Sequence, residues 1–157
     1  MYKGAGVKKY NHPLASTSVR VLEDWAMMMV EPVAGEFDTS AEGVVIARVG
    51  FSGVIDGSVL ISVVPEFSEV LAANVMGIER DDASIREYAE DSLRELGNIL
   101  TGNFLTEAYG TDTVFTLGIP EIVKAAEVEI SSNSDDRINF TFEADNCPIR
   151  ISFIVEG

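Results

Sequence analysis

With 157 residues, 46% of them hydrophobic, the chain has the length of one domain and enough apolar content for a core of its own. Its 26 acidic residues against 11 basic ones give a formal net charge of −15, a surface that repels nucleic acid and anionic membrane and favours a protein as partner, although acidity that merely aids solubility accounts for it equally well. No apolar run approaches the ~18 residues of a membrane helix, the longest being Trp25–Val30, and no signal core follows the N-terminal lysines, so a soluble cytoplasmic protein is expected.

Residues 1–11 carry Lys3, Lys8 and Lys9 and no acid, and read as a flexible leader to a single domain over residues 12–157. Pro13 opens an amphipathic segment in which Leu14, Val19, Leu22, Trp25, Ala26 and Met29 recur at helical spacing, predicting a helix over Pro13–Met29 with His12 at its start. The Met27-Met28-Met29 run is expected in the core rather than as a binding surface. Val44–Phe51 and Val54–Val64 are β-branched and separated by Ser52-Gly53, with Asp56-Gly57 as a further turn signal, so they read as paired strands. Their glycines match neither a phosphate loop nor a nucleophile turn, and strand and turn geometry explains them better. Pro65 starts a short helix to Met76 with Phe67, Val70, Leu71 and Val75 inward and Gly77 as its stop.

The longest helix is predicted over Asp82–Tyr109, with Ser84 and Glu87 as a capping box and Gly110 as the stop. At ~1.5 Å per residue it would span about 42 Å. Ile85, Tyr88, Ala89, Leu93, Leu96, Ile99, Leu100 and Phe104 define its apolar face, while Asp91, Glu95, Asn98 and Gly102 fall together on another. Asn103 falls on the apolar face and is expected as a satisfied buried amide bracing a neighbouring segment. Gly97 and Gly102 each cost about 1 kcal/mol against alanine inside a helix, which requires a compensating gain. Gly102, on the Glu95/Asn98 face, would let another backbone come close.

Beyond Gly110 the pattern turns to strands over Thr113–Leu117, Ala125–Ile130, Ile138–Phe142 and Ile149–Val155, with turns at Ser131–Asp136 and Asp145-Asn146. Cys147, the single cysteine, has no disulfide partner and no Cys/His neighbours, and reads as a small apolar strand residue in a reducing compartment. Residues 111–157 would thus form a meander. The fold class is α+β, an antiparallel β-sheet packed with long helices in a two- or three-layer sandwich.

The pair Glu95-x-x-Asn98 puts a carboxylate and a carboxamide on one helix face. On their own these residues read more readily as solvated helix surface; as a functional pair they suit hydrolysis of a phosphoryl group already attached to another protein, where the amide orients a water and the carboxylate holds the partner in register. Asp91 and Glu95 at i,i+4 offer hard oxygen ligands, but two carboxylates on one rigid helix make a poor cation site, and no metal site is expected in this chain.

Asp91, Glu95 and Asn98, followed by Pro120, resemble the Asp/Ser-x-x-x-Glu-x-x-Asn signature and following proline of the CheC/CheX/FliY family of chemotaxis phosphatases, in particular its single-site CheX-type members. A second patch is similar to the family: Gly50-Phe51-Ser52-Gly53 through Asp56-Gly57-Ser58-Val59, then Pro65 and the short helix ending Met76-Gly77. No other Glu-x-x-Asn lies on a helix of the N-terminal half, so the two-site CheC arrangement is not implied. The resemblance implies dephosphorylation of a CheY-like response-regulator receiver at its phosphoaspartate. The receiver would bring Mg²⁺, Asn98 would orient the attacking water, Glu95 would pair with a receiver lysine, and Asp91 would support that contact weakly. A non-catalytic module that docks a receiver or flagellar-switch protein is the alternative. The resemblance also implies a homodimer paired through its sheets, for which the apolar strand Ile149–Val155 is the edge that needs cover.

Overall fold

Runs of β-branched residues with period-two apolar positions dictate strands. The computed structural model, which describes residues 12–33, 36–125 and 137–156, joins them into a seven-stranded antiparallel sheet. In chain order the described elements are α1 (Pro13–Asp24), β1 (Val30–Pro32), β2 (Val45–Ser52), β3 (Asp56–Val63), α2 (Pro65–Met76), α3 (Ile85–Tyr109), β4 (Thr116–Leu117), β5 (Glu121–Val123), β6 (Arg137–Ala144) and β7 (Cys147–Glu156). The spatial order is β1-β6-β7-β3-β2-β4, and β5 also pairs with β2, beside β4.

The main core lies between the sheet and the three described helices. Ala47, Phe51, Val59, Ile61, Val63, Phe142, Ile149, Ile151 and Phe153 from the strands meet Leu14, Leu22, Phe67, Leu71, Leu93, Leu96, Leu100 and Phe104 from α1, α2 and α3. Full burial of such side chains stabilises by about 1.5–3 kcal/mol each before conformational entropy is subtracted. The opposite sheet face holds a smaller cluster of Ile46, Leu60, Val123 and Ile154. The expected α+β sandwich is therefore present.

Local chemistry explains where the helices start and stop. His12 caps α1, its Nδ1 accepting from the Leu14 N–H at 3.1 Å, and Pro13 supplies the preset φ of the first turn. The helix ends at Asp24, short of the expected Met29, because Met27 takes a left-handed φ of 55°. Only Met28 of the methionine run is buried, with Met27 and Met29 exposed. Gly77 closes α2 with φ 68°, as its position in the sequence predicts. The capping box expected at the start of α3 does not form. Ser84 instead turns its hydroxyl and its N–H back to the Asp82 carboxylate, at 2.6 and 2.9 Å, and these two hydrogen bonds hold the Asp82 carboxyl below the usual carboxylate range.

Residues 111–157 are not one meander. β6 and β7 form a hairpin on one side of β3, whereas β4 and β5 pair along the far side of β2. β7 is consequently an interior strand, bonded to β3 and β6 along its length, so the reason given above for a homodimer, an uncovered β7 edge, falls away. Of the strand expected over Thr113–Leu117 only Thr116–Leu117 pairs. The short strands β1 and β5 carry too few residues for a periodic signal. The expected leader over residues 1–11, the turn over residues 131–136 and most of the strand expected at residues 125–130 lie outside the described residues.

The glycine-rich patch is structural, as its turn-like spacing suggested. A Cβ on Gly57 would sit 2.2 Å from the Ile154 carbonyl oxygen and 2.8 Å from Phe51 Cζ. Backbone in the middle of a three-strand ladder cannot retreat at low cost, so Gly57→Ala should destabilise the fold by roughly 1–3 kcal/mol. Urea denaturation should give a lower midpoint with an unchanged slope.

Candidate functional site

Helix α3 runs 25 residues, about 37 Å at ~1.5 Å per residue, and packs against α1, α2, β2 and β3. Gly97 is what brings it close to the sheet. A Cβ there would lie 3.0 Å from Val49 Cγ2, with Ile61 and Ala47 side chains beyond it. This close approach is the compensation that a glycine inside a helix requires.

With Gly97 against the sheet, Asp91, Glu95, Asn98 and Gly102 all fall about 100–160° further round the helix. The first three are exposed and Gly102 is half-buried. Glu95 and Asn98 thus stand side by side on open surface, and neither side chain makes a hydrogen bond or ion pair among the described residues. Asp91 differs, because its Oδ1 accepts from Arg94 Nη1 at 2.9 Å, and the same guanidinium lies 3.5 Å from Glu90. Arg94 was not among the residues singled out from the sequence, although its i,i+3 and i,i+4 spacing from Asp91 and Glu90 is readable there. It partly neutralises the acidic turn and leaves Glu95 as the unpaired carboxylate nearest Asn98.

Asn103 is not the buried amide expected. It is exposed, and its Nδ2 donates to the Ile99 carbonyl one turn back at 2.7 Å. The buried arc of α3 shifts along its length, from Ile85, Ala89 and Leu96 near the start to Thr101, Phe104 and Leu105 near the end, so the stripe that covers the first half leaves Asn103 outside the second.

Gly102 meets only Leu117 Cδ1, at 3.8 Å from a Cβ position, so among the described residues no other segment's backbone occupies the space it leaves. That space opens onto a cavity of about 270 Å³ between the last turns of α3 and the Thr113–Leu117 segment. Pro120 lies half-buried in the link between β4 and β5, where its missing N–H interrupts no ladder. Among the described residues, no helix is long and apolar enough to cross a membrane.

The fold is the α+β sandwich that the resemblance implies, and the Glu95-x-x-Asn98 pair stands on an exposed helix face. The family model described as chemotaxis phosphatase CheX matches residues 45–143, well over half of the chain, and this protein belongs to that family. Solved structures agree on the fold. The CheX of a CheX-CheY-BeF3-Mg²⁺ complex from Borrelia burgdorferi aligns with a TM-score of 0.72 at 23% identity, covering 94% of this chain and 98% of that one. A CheX from Desulfovibrio desulfuricans gives 0.70 at 17% identity, covering 92% and 97%. A CheC-like superfamily protein from Shewanella sp. PV-4 gives 0.70 at 22% identity, covering 95% and 98%. No curated protein sequence matches the chain.

The two helix glycines should respond differently to the same substitution. Gly102→Ala gains up to about 1 kcal/mol of helix propensity at no steric cost and should raise the melting temperature by a few degrees. Gly97→Ala gains the same propensity but drives a methyl into Val49, so its melting temperature should fall below that of Gly102→Ala, with wild type as the reference in both scans.

Proposed function

We propose that this chain hydrolyses the phosphoaspartate of a CheY-like receiver domain in the cytoplasm, with Asn98 and Glu95 as its working side chains. The observation that carries the reading is the open pair itself: an amide and a carboxylate, both exposed and unpaired, one turn apart on a helix whose rotation the sheet fixes. Rigid support matters because attack on an acyl phosphate is governed by in-line placement of the water, and positioning alone can supply a large part of such a rate.

Asn98 accepts one hydrogen bond from the water and donates another without placing negative charge beside an anionic phosphoryl group. The water oxygen bonds to phosphorus as the phosphorus–oxygen bond to the receiver aspartate breaks, the carboxylate leaves with the bonding pair, and the water proton passes to solvent or phosphate. Glu95 pairs with a cationic side chain of the receiver, setting the register in which Asn98 reaches the phosphorus. Mg²⁺ belongs to the receiver's own site on this reading. Asp91, held by Arg94, supports the contact from one turn away, and Gly102 leaves room for the receiver backbone. A homodimer remains the expected assembly, but the described sheet ends in β1 on one side and β4 with β5 on the other, so pairing through the sheet would use one of those edges rather than β7.

Phosphate release from a phosphorylated receiver, with and without the chain, tests the activity and separates it from a non-catalytic docking module. Asn98→Ala should lose about 100-fold in kcat while still binding the receiver, because it removes a contact made chiefly in the transition state. Glu95→Lys should weaken binding itself by roughly 2–5 kcal/mol, since it sets like charges where an ion pair is expected. Equal loss of affinity in both variants, or near-normal turnover in Asn98→Ala, would show that this face is not the active site.

A further inference from the structure

The Glu95/Asn98 strip is wholly polar, so it offers no desolvated anchor of the kind that dominates protein–protein affinity. Such an anchor lies one helical turn beyond it. The cavity beside Gly102 is walled by Leu105, Thr113, Val114, Phe115 and Leu117 and contains no charged side chain. Its volume of about 270 Å³ falls below the roughly 300–1,000 Å³ of pockets that enclose small molecules, and suits a side chain of a partner better than a cofactor.

The outer wall is the Val114 segment, exposed and apolar but braced from beneath, and apolar exposure continues past it to Ile119. Val114 and Ile119 are 81% and 89% exposed, the two most open large apolar residues among those described. The segment between them is pinned from beneath: Phe115 makes edge contacts with Phe51 at 5.7 Å and Tyr109 at 5.3 Å, and Phe51 stacks on Phe153. The Thr113 hydroxyl donates to the Tyr109 carbonyl at 2.7 Å, and the Gly118 N–H donates to the Gly50 carbonyl at 2.7 Å. Gly53 is needed for the same packing, since a Cβ there would come within 2.8 Å of Phe115 and of the Val114 carbonyl. An apolar ridge that costs hydration, yet is braced by an aromatic cluster and two loop hydrogen bonds, is preorganised to bind rather than left over from folding.

We infer that this groove, with Val114 as its lip, is the apolar docking anchor for the receiver domain that Glu95 and Asn98 address, and that it takes an apolar side chain flanking the receiver's phosphorylated aspartate. The inference rests on the proposed phosphatase reading for its occupant. It rests on continuity for its placement, because Gly102 belongs both to the strip and to the lining of the groove, one turn from Asn98 on the same face of α3.

The test measures binding and turnover of a CheY-type receiver, loaded with beryllium fluoride and Mg²⁺ for affinity and phosphorylated for turnover. Val114→Asp should weaken affinity and raise KM about tenfold or more with kcat nearly unchanged, and Val114→Ala should move both in the same direction by less. Met27→Asp is the control, an exposed apolar position whose left-handed φ of 55° suits aspartate. It lies at the opposite end of the strands, where Asn74 joins the Ala26 carbonyl to Asp145, and it should leave both constants unchanged. If Val114→Asp binds within twofold of wild type while Asn98→Ala loses turnover, the active face stands and the groove assignment is overturned. If Val114→Asp loses affinity while Asn98→Ala retains turnover, the groove stands as a receiver dock and the catalytic reading falls. Conversion of a dimer to a monomer by Val114→Asp, with receiver affinity untouched, would make the groove a self-association surface and overturn the inference.

Discussion

The contact of Gly97 with Val49 governs everything that the long helix presents to solvent. A helix of 25 residues lying on a sheet can rotate about its axis unless something keys it, and the missing Cβ at Gly97 is that key. Once that side faces β2 and β3, period and pitch leave no freedom for the rest. The turns on either side of Gly97 bury Leu93, Leu96 and Leu100, and the strip of Asp91, Glu95, Asn98 and Gly102 is forced outward. Rotation by one residue, about 100°, would carry Asn98 into the place that Gly97 holds against Val49, where its side chain does not fit.

The second constraint is the glycine cradle beside that contact. Gly50 faces Ser58 across one ladder and receives the Gly118 N–H on its other side, and Gly57 lets β3 approach β7 where a side chain would collide with the Ile154 carbonyl. Phe51, Phe104, Phe115 and Phe153 fill the space beneath as a chain of edge and stacked contacts. This end of the sheet is therefore stiff where the segment after α3 crosses it. A loop that follows a long helix would ordinarily be the least ordered part of such a site, but here it is welded to β2 within a few residues of the helix end.

Period and punctuation carried most of the architecture. The Pro65–Met76 helix with its glycine stop, the paired strands around Ser52-Gly53 and the exposed Glu95/Asn98 face were readable because each depends on local pattern alone. The errors fall where a residue's environment is set by something distant in sequence. Asn103 was assigned by one continuous stripe, but α3 changes neighbours along its length and the stripe shifts with them. β7 was expected as an apolar edge that needs cover, whereas pairing with β3, far back in the sequence, puts it in the middle. Met27 and Met29 were assigned to a helix that a left-handed residue cuts short. The groove beside Gly102 had no sequence signal, because it exists only where Thr113–Leu117 folds back against α3.

Charge distribution then constrains how such a site can work. The chain carries a net charge of −15, and Glu87, Glu90, Asp91 and Glu95 crowd the first half of α3, with Glu87 alone in the first turn, where it favours the helix dipole. A phosphorylated receiver site is anionic as well, so at separations beyond the ~8–10 Å screening length long-range electrostatics give no attraction to exploit. Association on the proposed reading must be won at contact. There the acidic half of the strip can face only a cationic group, the neutral amide of Asn98 is the one member able to approach a phosphoryl oxygen without repulsion, and the uncharged groove beyond Gly102 supplies desolvation that no charge opposes. On that reading, the order along the helix, acid, then amide, then glycine and apolar groove, would set the direction in which a receiver lies.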